Sequence, residues 1–229
     1  EIVARRSAFL TEYQNAAYAR RYAALVERVA AREKEIARDG SRLAEAVARS
    51  YFKLLAYKDE YEVARLYTNG SLEGQLEREF EGDYRLSVHL APQFLPSLLA
   101  PRDPRTGRVR KWEIPGWLML PVFRAIAALR FLRGTPLDPF GRTAHRRLER
   151  RLVEEYEARI QQLLASLTRE NLEVAVEIAG LPEQIRGFDT VKERSIEQVR
   201  EKQKELLAAF GARGGPGAVR VVARGSAAN

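Results

Sequence analysis

No glycine or proline occurs between Ile2 and Arg38, and this uninterrupted stretch limits what the chain can fold into more than any other feature. Within it Ile2, Phe9, Tyr13, Ala17, Tyr22, Val26 and Val29 recur at near-helical spacing among Arg and Glu, which predicts one long amphipathic helix. Asp39-Gly40 close that helix, and Ser41 is placed to cap the next one. The second helix carries Leu43, Val47, Tyr51, Leu54 and Leu55, and its pattern continues through Tyr57, Tyr61, Val63 and Leu66 to Asn69-Gly70. Two long helices joined by a tight turn predict an antiparallel hairpin.

Beyond it, residues 71–80 suit a short helix, and 84–90 (Tyr-Arg-Leu-Ser-Val-His-Leu) alternate with period two, the one strand-like stretch. A strand cannot stand alone, so its partner is expected around Lys111–Ile114 or in a domain outside this sequence. Pro92, Pro96, Pro101, Pro104, Gly107, Pro115 and Gly116 forbid regular structure over most of 91–117, which reads as an irregular contact arm. Helix returns over Leu118–Leu132. Asp138 and Pro139 are then placed as cap and first residue of a helix, and Arg142–Leu167 forms another. Thr168 is expected to cap a helix through Ile178, Gly180-Leu181-Pro182 to stop it, and Asp189 to open a last helix ending near Phe210. The fold class is mainly α: a helical bundle of long antiparallel helices with one short strand or hairpin and a Pro-rich arm. Residues 1–210 are expected as a single helical domain and 211–229 as a flexible C-terminal tail.

Charge is unevenly placed. The chain is +8 overall, yet residues 102–151 alone hold 13 basic and 4 acidic side chains, which suggests a local partner surface more than general polyanion binding. Absence of cysteine excludes disulfides, thiolate-bound zinc and cysteine-held iron-sulfur clusters within this chain. Glu1 in first place and Met119 as the one methionine suggest a piece of a longer or processed polypeptide. No secretory signal or bilayer-length apolar run is visible, so a cytoplasmic setting is expected, with no membrane partner.

Catalytic motifs are not found. His89 and His145 lack a second ligand at metal spacing, no serine sits in Gly-x-Ser-x-Gly, and the glycines from Gly211 onward follow a helix where a phosphate loop would join a strand to one. Richer in content is Tyr57-Lys58-Asp59-Glu60-Tyr61-Glu62-Val63-Ala64-Arg65-Leu66-Tyr67. On a continuous helix Lys58 would face Glu62 at i,i+4 and Glu62 would face Arg65 at i,i+3, giving either a salt-bridged surface or a buried cluster that sets how another domain docks. Arg142, Arg146, Arg147, Arg150 and Arg151 form a basic series, expected as a solvated face paired with Glu149, Glu154 and Glu155. With poor aromatic interleaving it does not suit nucleic acid. Trp112, Trp117, Leu118, Leu120 and Phe123 read as a segment wrapping another domain's apolar surface, since Pro115 and Pro121 would interrupt an interfacial membrane helix.

Four stretches carry a resemblance: 57–67 as just quoted; Phe80-Glu81-Gly82-Asp83-Tyr84 with His89-Leu90-Ala91-Pro92; Arg133-Gly134-Thr135-Pro136-Leu137-Asp138-Pro139-Phe140-Gly141-Arg142-Thr143; and Leu181-Pro182-Glu183-Gln184-Ile185-Arg186-Gly187-Phe188. In this order they resemble the C-terminal helical region of fused indolepyruvate ferredoxin oxidoreductases, members of the 2-oxoacid:ferredoxin oxidoreductase family. The resemblance extends to about Phe210. It implies a parent enzyme that decarboxylates aryl 2-oxoacids on thiamine diphosphate with Mg, passes electrons through 4Fe-4S clusters to ferredoxin and delivers the acyl group to coenzyme A. It further implies that this machinery lies upstream, so this chain holds no cofactor and no catalytic residue, is inactive alone, and meets the other domains or subunits of its parent.

The candidate docking or structural polar set is then Lys58, Asp59, Glu60, Glu62, Arg65, His89, Asp138, Arg142, Arg146, Arg147 and Arg150. Two other uses of the positive charge stay open: recruitment of an acidic carrier such as ferredoxin through Arg146, Arg147 and Arg150, and contact of Arg102, Arg105, Arg108 and Lys111 with coenzyme A phosphates.

Overall fold

A computed structural model describes residues 1–82, 85–90, 112–187 and 190–214 of the chain. These residues are mainly helical, with a small two-stranded antiparallel sheet. They fall into two compact units, one built from the described residues of 1–57 and 148–214, the other from those of 58–147.

The first unit opens with α1 (Ile2–Tyr13) and α2 (Ala16–Ile36). The single helix expected over this stretch is therefore two. The break has a local cause: Asn15 adopts an extended backbone and its side chain accepts the Tyr18 N–H at 2.9 Å, capping a new helix. α3 (Arg42–Leu55) follows, but Ser41 does not cap it, because its hydroxyl donates to Glu45. The cap comes from α2: the carboxylate of fully buried Glu33 accepts the N–H groups of Leu43 and Ala44, each at 2.9 Å. A negative charge there also meets the positive end of the helix dipole.

From the second half of the chain, α7 (Ala144–Ala165), α8 (Leu172–Gly180) and α9 (Thr190–Arg213) contribute to this unit from Leu148 onward. Thr168 caps nothing; its N–H is held at 2.8 Å by the side chain of Asn171, the residue before α8. A 3-10 turn, Leu181–Gln184, ends α8 where Pro182 removes a donor. Asp189, expected to start α9, lies outside the described residues, as do Phe188 and the tail from 215 on.

Tyrosines form the centre of the unit. Tyr22, Tyr51 and Tyr156 stack at centroid distances of 5.9 and 6.0 Å, all within the buried core. Their hydroxyls are each engaged: Tyr22 donates to the Ala48 carbonyl, Tyr156 to that of Ala179, and Tyr51 to Glu157, which Arg21 also holds through two bonds. Burial raises the pKa of all three phenols, and the Glu157 hydrogen bond raises that of Tyr51 further.

The second unit begins with α4 (Glu60–Thr68), so the helix expected to run from 42 to 69 is also broken. Asp59 is extended and its side chain accepts the Glu62 N–H at 2.8 Å, a cap that a continuous helix would forbid. Lys58 thus lies outside the helix, and its expected i,i+4 relation to Glu62 is lost. After α5 (Ser71–Glu79), β1 (Ser87–Leu90) pairs antiparallel with β2 (Trp112–Pro115), Val88 opposite Ile114. The strand partner thus lies where the sequence placed it, within one residue. Residues 112–117 are strand and helix start, which corrects their assignment to an irregular arm; Pro115 falls at the last position of the strand, opposite Ser87, where the pairing with β1 ends. Residues 91–111 lie outside the described part, with Arg102, Arg105, Arg108 and Lys111.

α6 (Gly116–Ala128) packs on α4 and runs into a 3-10 turn, Leu129–Leu132. Pro121 is inside α6 and does not break it: its ring is on the exposed side, and only the Trp117 carbonyl loses an amide partner. Met119, Phe123 and Ala127 point the other way, closing a small core with Ala64 and Val88. Among the described residues no helix is long and apolar enough to cross a membrane.

Candidate functional site

Most of the polar residues singled out from sequence, all but His89 and Arg150, gather at one place in the second unit. There, residues 133–143 form turns, correcting the helix expected at Pro139. Gly134 is left-handed with φ +76°, a conformation that favours glycine, and it turns the chain so that Asp138 folds back. The Asp138 carboxylate accepts the N–H groups of Gly134 at 2.9 Å, Phe140 at 3.1 Å and Gly141 at 3.0 Å. It caps a turn instead of a helix.

Onto this turn α4 places Tyr61, whose hydroxyl donates to Asp138 at 3.1 Å and whose ring meets Phe140 edge-on at 5.1 Å. Arg133 completes the contact. Its Nε and Nη2 donate to the two oxygens of Asp59 at 2.6 and 2.9 Å, and its guanidinium lies 5.4 Å from the centre of the Tyr61 ring. Asp59, Tyr61, Arg133 and Asp138 are all 4 % exposed or less. The segment before α4 and the turn after the 3-10 helix are thereby fastened by a buried clasp.

Around it, Glu62 is buried and held by Arg65 through two 2.9 Å bonds, the i,i+3 relation read from sequence. Arg146 donates to Glu60 and to the Lys58 carbonyl, both at 3.2 Å. Arg142 donates to the Pro136 carbonyl, and Arg147 to that of Arg142. His89 is exposed on β1 opposite Glu113 and joins none of these bonds. Arg150 belongs to the first unit, as does Glu149, which is buried and paired with Lys192 at 2.5 Å. Glu155 is paired with Arg200.

Sequence reasoning missed Arg133 as the centre of the cluster, together with Glu33 and Glu157. The signal for Arg133 was its place directly before Gly134 in a resembling stretch, and that for Glu33 its position four residues after Val29 and seven after Val26, on the apolar stripe of α2.

Chemically the clasp is an internal network of hydrogen bonds and one ion pair. Both carboxylates have their oxygens occupied, and burial, followed by the charge of Asp138, pushes the Tyr61 phenol above its ordinary value, so it keeps its proton. A general acid or base needs access to substrate, which side chains this enclosed do not have. Among the described residues no three His, Cys, Asp or Glu side chains gather as metal ligands. Comparison with curated proteins and with solved structures returns no match. A family match covers residues 1–205, nearly the whole described chain, and on that ground the chain belongs to the family described as Family of unknown function (DUF6537).

Proposed function

We propose that this chain is a non-catalytic structural and docking domain at the C-terminal side of an aryl-2-oxoacid:ferredoxin oxidoreductase of the indolepyruvate type, working in the cytoplasm. The observation that carries the reading is the clasp. Two of the stretches on which the resemblance rests, 57–67 and 133–143, meet in one buried network whose only evident role is to hold shape. A chain without cysteine offers no thiolate to a cluster, which suits a domain beside the electron path. Thiamine diphosphate, Mg and 4Fe-4S belong to the parent in this proposal. So do the finer features expected from sequence: the long antiparallel bundle, and contact of the 91–117 arm with neighbouring domains.

The test is the parent oxidoreductase expressed without this region. Loss of assembly or of 2-oxoacid oxidation supports the reading, and full activity with unchanged assembly rejects it. Exposed Arg142 and Arg147 favour a second reading, docking of acidic ferredoxin. It requires affinity that falls with salt and with neutralisation of Arg142 and Arg147; salt-independent binding removes it.

A further inference from the structure

The first unit contains a half-open cleft of about 230 Å³ formed by α7, α9 and the turn Leu181–Gln184, with Leu54 of α3 at its base. Its floor is aliphatic and dry: Leu54, Leu152, Leu181 and Ile196 are each at most 8 % exposed. The one ring in the wall is Tyr156, whose hydroxyl is already spent on the Ala179 carbonyl at 2.9 Å.

The mouth is polar and unevenly satisfied. Arg200 is held by both oxygens of Glu155 at 3.2 and 3.4 Å. Arg159, one turn further along α7, donates from Nη1 to Gln162 at 2.8 Å, while its Nε is buried with no hydrogen-bond partner among the described residues. Among the described residues no carboxylate lies within ion-pair distance of it; burial lowers its pKa, and the charge of Glu155 one turn away offsets this only in part. Native interiors rarely leave a guanidinium N–H unmatched, and one at the lip of an apolar cleft suits a small amphipathic anion.

We propose that this cleft binds a short aliphatic monocarboxylate, the carboxylate accepting from Arg159 and the hydrocarbon chain lying on Leu54, Leu181 and Ile196. Size follows from volume: at about 30 Å³ per water-sized group, the cleft holds roughly eight such groups, the heavy-atom content of hexanoate. Branched aliphatic walls suit a flexible chain better than a flat ring. A single cation with an unmatched N–H, standing beside Glu155, suits one negative charge and disfavours a second. The proposal stands independently of the oxidoreductase reading.

The experiment is titration of the full chain with sodium hexanoate, followed by calorimetry and by amide NMR shifts, with hexanol as neutral counterpart. Saturable hexanoate binding is expected, with shifts confined to residues around Leu181 and Ile196 and with hexanol clearly weaker. Arg159→Met keeps the apolar stem and should weaken hexanoate roughly 10- to 100-fold, the worth of a charged hydrogen-bonded contact, without changing hexanol. Ala158→Phe, at an exposed lining position, should block both ligands; far-UV circular dichroism checks that each variant is folded. Absence of saturable hexanoate binding, equal affinity for hexanol, or unchanged hexanoate affinity in folded Arg159→Met overturns the proposal.

Discussion

Arg133→Met removes both donors that reach Asp59, at 2.6 and 2.9 Å, and leaves a carboxylate that is 3 % exposed with one remaining partner, the Glu62 N–H. Methionine retains the aliphatic volume, so the loss is electrostatic. Breaking a buried pair by deleting one member costs about 3–5 kcal/mol, because the other charge stays out of water. Loss of the cation over the Tyr61 ring adds about 0.5–1 kcal/mol. Against a whole-protein stability of about 5–15 kcal/mol this is a large fraction. A chain of this length should lose about 2–4 °C of melting temperature per kcal/mol, hence roughly 7–24 °C for the sum. Urea unfolding followed by circular dichroism measures the loss, and hydrogen exchange over 59–68 localises it to the cap of α4. Adding Asp59→Asn, which keeps an oxygen for the Glu62 N–H while removing the orphaned charge, should return about 1–3 kcal/mol of the damage. A single-variant loss below about 1 kcal/mol, or strictly additive effects in the double variant, would refute the view that the pair is dry and coupled.

Three further outcomes follow from features of the fold. Glu33→Ala should destabilise by about 2–4 kcal/mol, since it strips two N–H groups and the start of α3 of a charged acceptor; Ser41→Ala, measured the same way, should cost well under about 1 kcal/mol because that hydroxyl caps nothing. Gly116→Ala should cost about 1–3 kcal/mol, because the new methyl would stand 2.9 Å from both the Cβ and the carbonyl oxygen of Leu86; an unchanged urea midpoint would contradict it. The raised phenols of Tyr51, Tyr61 and Tyr156 fix a pH dependence. The unfolded chain releases these protons from about pH 10 and the folded chain only at higher pH, so their stabilisation is complete below pH 10 and is lost as pH rises above it. Urea midpoints from pH 8 to 11, read beside tyrosinate absorbance, should fall only over the upper part of that range, and a flat profile would be inconsistent with buried phenols.

Helical content was legible because period-3.6 patterning is a property of each segment alone, and the β1–β2 pairing because so few alternating stretches compete for it. Two helix breaks were not. Asn15 and Asp59 sit in sequences that read as continuous helix, and only their conformation, extended with the side chain turned onto the third amide ahead, shows that they start new ones. The same holds for the cap of α3, which comes from Glu33, ten residues away from the amide it holds. For the candidate site, sequence supplied most of the members but not their centre. Asp59 and Glu62 stood out in the charged, tyrosine-rich stretch 57–67 and Asp138 as a cap before Pro139, whereas Arg133 looked like one more unit of positive charge until its two bonds to Asp59 placed it inside. Arg146 likewise holds Glu60 and the Lys58 carbonyl, contacts its charge alone does not announce.

The first unit is discontinuous along the chain: α1, α2 and α3 precede residues 58–147, while α8 and the part of α7 with Tyr156, both packed on α3, follow them. On a ribosome adding about 5–20 residues per second, the intervening stretch alone takes roughly 5–20 s to synthesise. Throughout that interval Tyr51 lacks the Tyr156 ring and the Glu157 carboxylate that cover it in the finished fold, so slower translation through 58–147 should lengthen its exposure to aggregation.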